Sequence, residues 1–179
     1  TETDALYGRW AAIGGALSEI QGKPEEAIRL SRDALDHLPE TDGMWRVVAQ
    51  LHLGLSYQAL GSIKPAAEAY RQLIDFCLDR GFLFPAITAT ALLIDACQAE
   101  GKLYEAQARS ERMGAMENLP GGAELCPRAG GAILLGRLAY ERNDLTGAEA
   151  AISEAVGRLC SGAQSRLGVA GLVTLARIA

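Results

Sequence analysis

The sequence predicts an all-α fold, an array of antiparallel helical hairpins, and three observations carry that prediction. Apolar residues recur at helical spacing, as in Leu51, Leu55 and Ala59, or Ile63, Ala66, Ala67, Tyr70 and Ile74. Glycine or asparagine punctuates this pattern at Gly22, Gly61, Gly101 and Asn143, which stand 39, 40 and 42 residues apart. The apolar share of 49% is aliphatic, with only 6% aromatic residues, and alanine and leucine, both good helix formers, dominate it. No alternating strand pattern competes.

The four punctuation residues set a register. Five residues after each stands alanine: Ala27, Ala66, Ala106 and Ala148. Seven before stand Gly15, Gly54, Ile94 and Gly136, and eight before stand Gly14, Leu53, Leu93 and Leu135. Glycine and asparagine adopt the left-handed conformation that closes a helix, so each anchor ends one helix (A) and opens the turn to the next (B). The alanine one turn into helix B lets the two axes approach closely. The small residue seven before the anchor lies two turns back on helix A, where helix B crosses.

Taken in order, the pattern places helices at 4–21, 24–37, 43–60, 64–80, 83–100, 103–118, 129–142, 145–160 and 163–178. They form hairpins at about 4–37, 43–80, 83–118 and 129–160, with a final unpaired helix, within one domain covering 1–179. Starts of B helices are marked by Pro24 with Glu25 and Glu26, by Ser62 ahead of Pro65, and by Asp144 as an N-cap. Breaks fall at Leu38-Pro39-Glu40, at Gly81, from Pro120 to Gly131, and at Ser161-Gly162. The chain begins and ends within helical pattern, which reads as a piece of a longer protein.

Composition excludes several functions. A formal net charge of −5 with no run of Lys or Arg argues against holding nucleic acid by phosphate neutralisation. No stretch of apolar residues is long enough for a membrane span, and the acidic N-terminus Thr1-Glu2-Thr3-Asp4 is not a signal peptide, so a cytoplasmic protein is expected. Cys77, Cys97, Cys126 and Cys160 form no CxxC pair and read as reduced, buried thiols rather than metal ligands or disulfides. His37 and His52 stand in no nucleophile or metal pattern, and no convergent acid, base or nucleophile set exists, so no enzyme is expected. The glycine-rich stretch from Pro120 to Gly131 lacks the Lys-Ser or Lys-Thr of a phosphate cradle and reads as a connection between hairpins.

The anchor, the alanine at +5 and the small residue at −7 resemble the tetratricopeptide pattern, with a period longer than its usual ~34 residues. Such hairpins stack into a right-handed superhelix whose A helices line a concave binding wall. Three segments narrow the resemblance: Ala34-Leu-Asp-His-Leu-Pro-Glu40, the stretch from Arg46 to Gly61, and the stretch from Pro127 to Leu145. The run Tyr140-Glu-Arg-Asn-Asp-Leu145 is the most specific. Together they resemble the helical-repeat domain of MalT-type regulators, ATP-dependent transcriptional activators of the LuxR family in bacteria. That resemblance implies a region between a nucleotide-binding module and a helix-turn-helix, implicated in inducer sensing and self-association. ATP is then expected only in the N-terminal module, because neither Gly22-Lys23 nor Gly101-Lys102 continues as a P-loop.

Taken from the tetratricopeptide register, the concave-wall candidates are Arg9, Glu19, Gln58, Asp95, Gln98, Arg137 and Tyr140. Trp45 joins them as an aromatic able to stack on a sugar, although Trp10 and Trp45 both read first as packing anchors between repeats. The resulting expectation is a non-catalytic domain that binds a small-molecule inducer or a protein partner. The alternative is a stand-alone adaptor gripping a peptide of a partner protein. Apolar surface, and self-association through it, is expected at the final helix, 163–178.

Overall fold

The computed structural model describes residues 2–117, 127–158 and 166–179, with side chains described for 2–113, 131–156 and 168–179. The described residues form helices α1 (Glu2–Ile20), α2 (Pro24–His37), α3 (Gly43–Ala59), α4 (Ile63–Asp79), α5 (Leu83–Ala99), α6 (Leu103–Glu117), α7 (Pro127–Glu141), α8 (Leu145–Arg158) and α9 (Arg166–Ile178), and no strand. The expected all-α repeat fold is therefore present, with most boundaries within two residues of the pattern. Most of the glycine-rich stretch, with Cys126, Cys160 and Ser161-Gly162, lies outside the described residues.

The punctuation works as the residue types require. Gly22, Gly61, Gly101 and Asn143 all have positive φ, at 73°, 71°, 73° and 63°. Each closes its helix with the same pair of bonds. In the first, Gly22 N–H donates to Glu19 O at 3.0 Å, and Lys23 N–H reaches back to Ser18 O at 2.8 Å. Gly81 (φ 72°) does the same for α4, where Phe82 N–H donates to Cys77 O at 2.8 Å. Helix starts follow the sequence in two cases and depart from it in one. Pro24 opens α2, and Asp144 Oδ1 accepts from Gly147 N–H at 3.0 Å as an N-cap on α8. Ser62 occupies the N-cap of α4 but makes no side-chain cap bond.

The chain divides into two compact units, Thr1–Ala89 and Thr90–Ala179. In the first, α1 packs on α2, both pack on α3, and α3 packs on α4. Ala11, Ala12, Ala34, Leu38 and Ala49 form one core cluster there, with Leu35, Trp45 and Val48 packed against it. In the second, α7 packs on α6, α8 and α9, and α9 also packs on α8. Gly171 lets α9 lie close to Ile133 of α7 and Ile152 of α8, since an added Cβ would sit 3.2 Å from each.

The A–B contact inside each hairpin is the tightest feature. All four alanines at +5 are 0% exposed. The residue at −7 faces the residue at +9 across the hairpin: Gly15 with Ser31, Gly54 with Tyr70 and Gly136 with Ile152. A Cβ on Gly54 would overlap the Tyr70 ring, and one on Gly136 would overlap Ile152. In the third hairpin the sizes are exchanged, with Ile94 at −7 and Ser110 at +9, and both are buried. The second and fourth hairpins thus carry the large residue on helix B, the third carries it on helix A, and the first is small at both positions.

Gly54→Ala should destabilise the protein by about 1–3 kcal/mol through overpacking, although the same change in an exposed helix interior would stabilise by roughly 1 kcal/mol. The double variant Gly54→Ile/Tyr70→Ser imports the third hairpin's solution. Its loss in urea unfolding should be much smaller than the sum of the two single losses.

Candidate interaction surface on the A helices

Helices α1, α3, α5 and α7 are the A members of their hairpins, and their anchor −3 positions are Glu19, Gln58, Gln98 and Tyr140. Each is partly buried, and three have identified surroundings. The Glu19 carboxylate lies 3.3 Å from His52 Nδ1, linking α1 to α3. Gln58 Oε1 accepts from the Tyr70 hydroxyl at 2.8 Å. Gln98 has both amide atoms buried and unpartnered. The register explains this: +9 is tyrosine in the second hairpin and serine in the third, and Ser110 Oγ donates instead to its own helix at Ala106 O, 3.0 Å away.

The anchor −6 positions of α5 and α7 carry opposite charges. Asp95 and Arg137 form an ion pair within the second unit, their side chains only 20% and 25% exposed. Burial raises the Asp95 pKa above the usual aspartate value, and the neighbouring Arg137 opposes that rise without cancelling it. The Arg137 guanidinium thus favours the ionised carboxylate, against the larger effect of burial.

The remaining candidates are occupied by packing or pairing. Arg9 donates from Nε and Nη2 to the two Asp42 oxygens, at 2.7 and 3.0 Å, a bidentate bridge from α1 to the residue preceding α3. That bond lowers the Asp42 pKa and raises the Arg9 pKa. Trp45 packs on the core cluster between α1, α2 and α3, as expected of a packing anchor. Trp10 does not: it is 61% exposed, with only Tyr7 as an aromatic neighbour at 5.7 Å between ring centroids. The expectation that both tryptophans anchor repeats holds for Trp45 alone, because no described element lies over that part of α1.

The two histidines have structural surroundings. His37 Nδ1 lies 2.8 Å from Asp33 O in the last turn of α2, and its ring stands edge-on to Tyr7. His52 carries the link to Glu19. Among the described residues no group of three or more His, Cys, Asp or Glu could hold a metal ion. Cys77 and Cys97 are buried, and burial pushes the Cys77 thiol up to about 11, which disfavours its thiolate. No described helix is long and apolar enough to cross a membrane.

One feature was not anticipated from sequence. A cleft of about 140 Å³ is lined by Leu35, Arg46, Gln50, Gln72, Leu73 and Phe76 of α2, α3 and α4. Its polar groups are committed to the fold. Arg46 Nη1 donates to Leu35 O (3.1 Å) and Leu38 O (2.6 Å) at the end of α2, where a cation suits the helix dipole. Gln50 Nε2 donates to Ala69 O and Gln72 Oε1. Pairings such as Arg9–Asp42, 33 positions apart, leave no local trace, whereas the Gln58–Tyr70 bond joins positions −3 and +9 of a single hairpin.

The repeat geometry agrees with the comparisons. The family model of the MalT-like TPR region matches residues 8–179. The chain belongs to that family. No curated protein matches it significantly. Among solved structures, BtubC (BKLC) from P. vanneervenii shares 19% identity at a TM-score of 0.72, over 92% of this chain and 68% of that one. A Podosopora anserina protein described as a kinesin light chain with nearly identical TPR-like repeats shares 20% identity at a TM-score of 0.64, over 95% and 84%. At such identities the likeness shows a common fold. The MalT-like region is accordingly a helical-repeat domain of the protein-interaction type.

Arg137→Met removes the one cation facing Asp95 and should cost about 2–3 kcal/mol at neutral pH, below the range for a fully buried pair. The sign with pH follows from the raised Asp95 pKa. The folded state holds that proton more tightly than the unfolded chain, so stability from this site rises as pH falls toward the ordinary aspartate value. Asp95→Asn should abolish that rise, and Arg137→Met should enlarge it, in urea midpoints measured from neutral to mildly acidic pH.

Proposed function

We propose that this domain is the inducer-sensing and protein-interaction arm of a MalT-like, LuxR-family bacterial transcriptional activator, acting in the cytoplasm and without chemistry of its own. The observation that carries the reading is the family match over residues 8–179, together with the polar side chains at −3 on the four A helices and at −6 on α5 and α7. In this reading each unit offers its own polar groups to a ligand, Glu19 and Gln58 in the first and Asp95, Gln98, Arg137 and Tyr140 in the second, and Arg9 and Trp45 hold the first helices in place. Side chains of mixed charge suit a neutral polar ligand or an extended peptide better than a polyanion. ATP and DNA then belong to modules outside this sequence, and the domain reports ligand occupancy to them by favouring one arrangement of the whole chain.

The reading is tested on the natural full-length protein. A thermal-shift screen of small polar metabolites should return an inducer that raises the unfolding temperature by mass action. Tyr140→Phe should weaken the response about tenfold while leaving the unliganded midpoint nearly unchanged. A natural chain without a nucleotide-binding module upstream or a helix-turn-helix downstream overturns the regulator assignment. A stable protein partner with no small-molecule response points instead to an adaptor.

A further inference from the structure

The longest exposed apolar stripe among the described residues runs along α1. Leu6 is 58% exposed, Trp10 61%, Ile13 46%, Leu17 52% and Ile20 73%. Their spacing alternates four and three residues, the pattern of a helix seam that packs along a partner helix. A helix whose solvent face is meant to stay wet does not carry five large apolar side chains in line.

The register shows what such a seam is for. Trp10, Ile13 and Leu17 occupy anchor positions −12, −9 and −5. In the other three A helices the −12 residues are Ala49, Ala89 and Gly131, all buried. At −5 stand Ser56, Ala96 and Leu138, at most 3% exposed. At −9 stand His52, Leu92 and Leu134, none of them exposed. In α3 the cover comes from the preceding hairpin: Ala49 and Trp45 pack on Ala11, Ala12, Ala34 and Leu38, and His52 meets Glu19. The face of α1 is thus the same face, at the same register, with larger apolar residues and no described cover.

We infer that α1 is the docking surface for a further helical hairpin of the same array, lying N-terminal to it in the natural protein and stacked on it as the α1–α2 hairpin is stacked on α3. The established α1/α2–α3 interface is continued one step outward, and Trp10 becomes the inter-repeat anchor that Trp45 already is. A second copy of this chain is disfavoured as occupant, since in α3 this register faces the preceding hairpin, not another α1. The inference stands independently of the regulator assignment.

Hydroxyl-radical footprinting read by mass spectrometry tests it, comparing this 179-residue chain with the natural full-length protein at equal dilution. Oxidation of Trp10 should fall at least fivefold in the natural protein, while Tyr104, 88% exposed here, serves as the unchanged reference. Leu17→Glu should leave the unfolding midpoint of the 179-residue chain nearly unchanged and lower that of the natural protein. Equal oxidation of Trp10 in both overturns the inference, as does a natural protein with no hairpin ahead of α1. Protection that appears in the 179-residue chain only as concentration rises would make a second copy the occupant and overturn it equally.

Discussion

The close approach of helices A and B within each hairpin is the constraint on which the rest of the fold depends. Two helix axes come this near only where side chains at the crossing are small on at least one side, and the four fully buried alanines at +5 supply that in every hairpin. The −7 and +9 positions then share one volume between them. Three hairpins put a glycine on helix A and let helix B carry serine, tyrosine or isoleucine; the third hairpin reverses the assignment with Ile94 and Ser110. Because interiors are packed close to crystal density, a Cβ added at Gly15, Gly54 or Gly136 would meet the side chain opposite.

The exchange at −7 and +9 has an electrostatic consequence one turn away. Tyr70 brings a hydroxyl to Gln58, so the second hairpin satisfies its buried amide. When the bulky residue moves to helix A, as Ile94 does, the hydroxyl goes with the tyrosine and Gln98 is left with buried, unpartnered donors and acceptors. An unsatisfied buried amide costs about 1–3 kcal/mol. Packing and polar satisfaction are therefore not independent choices in this array: with Ile94 at −7 and Ser110 at +9, no tyrosine hydroxyl stands at +9 to meet Gln98.

Much of this was legible in the sequence because the informative residues act locally. Left-handed closure by Gly22, Gly61, Gly101 and Asn143 needs only the residue itself, and Pro24 and Asp144 mark helix starts for equally local reasons. The tertiary pairings were not legible. Arg9 with Asp42 and Asp95 with Arg137 join residues whose spacing reflects how hairpins stack, not any motif. Trp10 and Trp45 occupy neighbouring registers on equivalent helices, yet one is packed and the other exposed. The difference lies in what stands over each helix, which periodicity within one helix cannot report. Exposed apolar surface was expected at the final helix, and Val169, Leu172 and Val173 do stand open there. The longer stripe on α1 escaped notice because amphipathic pattern identifies an apolar face without saying whether it is covered.

The division of labour among A-helix positions bears on how one fold can serve many ligands. Positions −12, −7 and −5 face neighbouring helices and are held by packing, as Ala49, Gly54 and Ser56 show on a single helix. Positions −6 and −3 lie between these rows, and there the four hairpins differ freely: alanine, leucine, aspartate and arginine at −6, and glutamate, glutamine, glutamine and tyrosine at −3. Variation at −6 and −3 changes which polar bonds join the helices, as Glu19–His52, Gln58–Tyr70 and Asp95–Arg137 show, while the packed rows at −12, −7 and −5 stay as they are. A repeat domain arranged this way keeps its mechanical continuity while its recognition chemistry drifts, so relatives can share the architecture at under 25% identity without the fold itself specifying what each one binds.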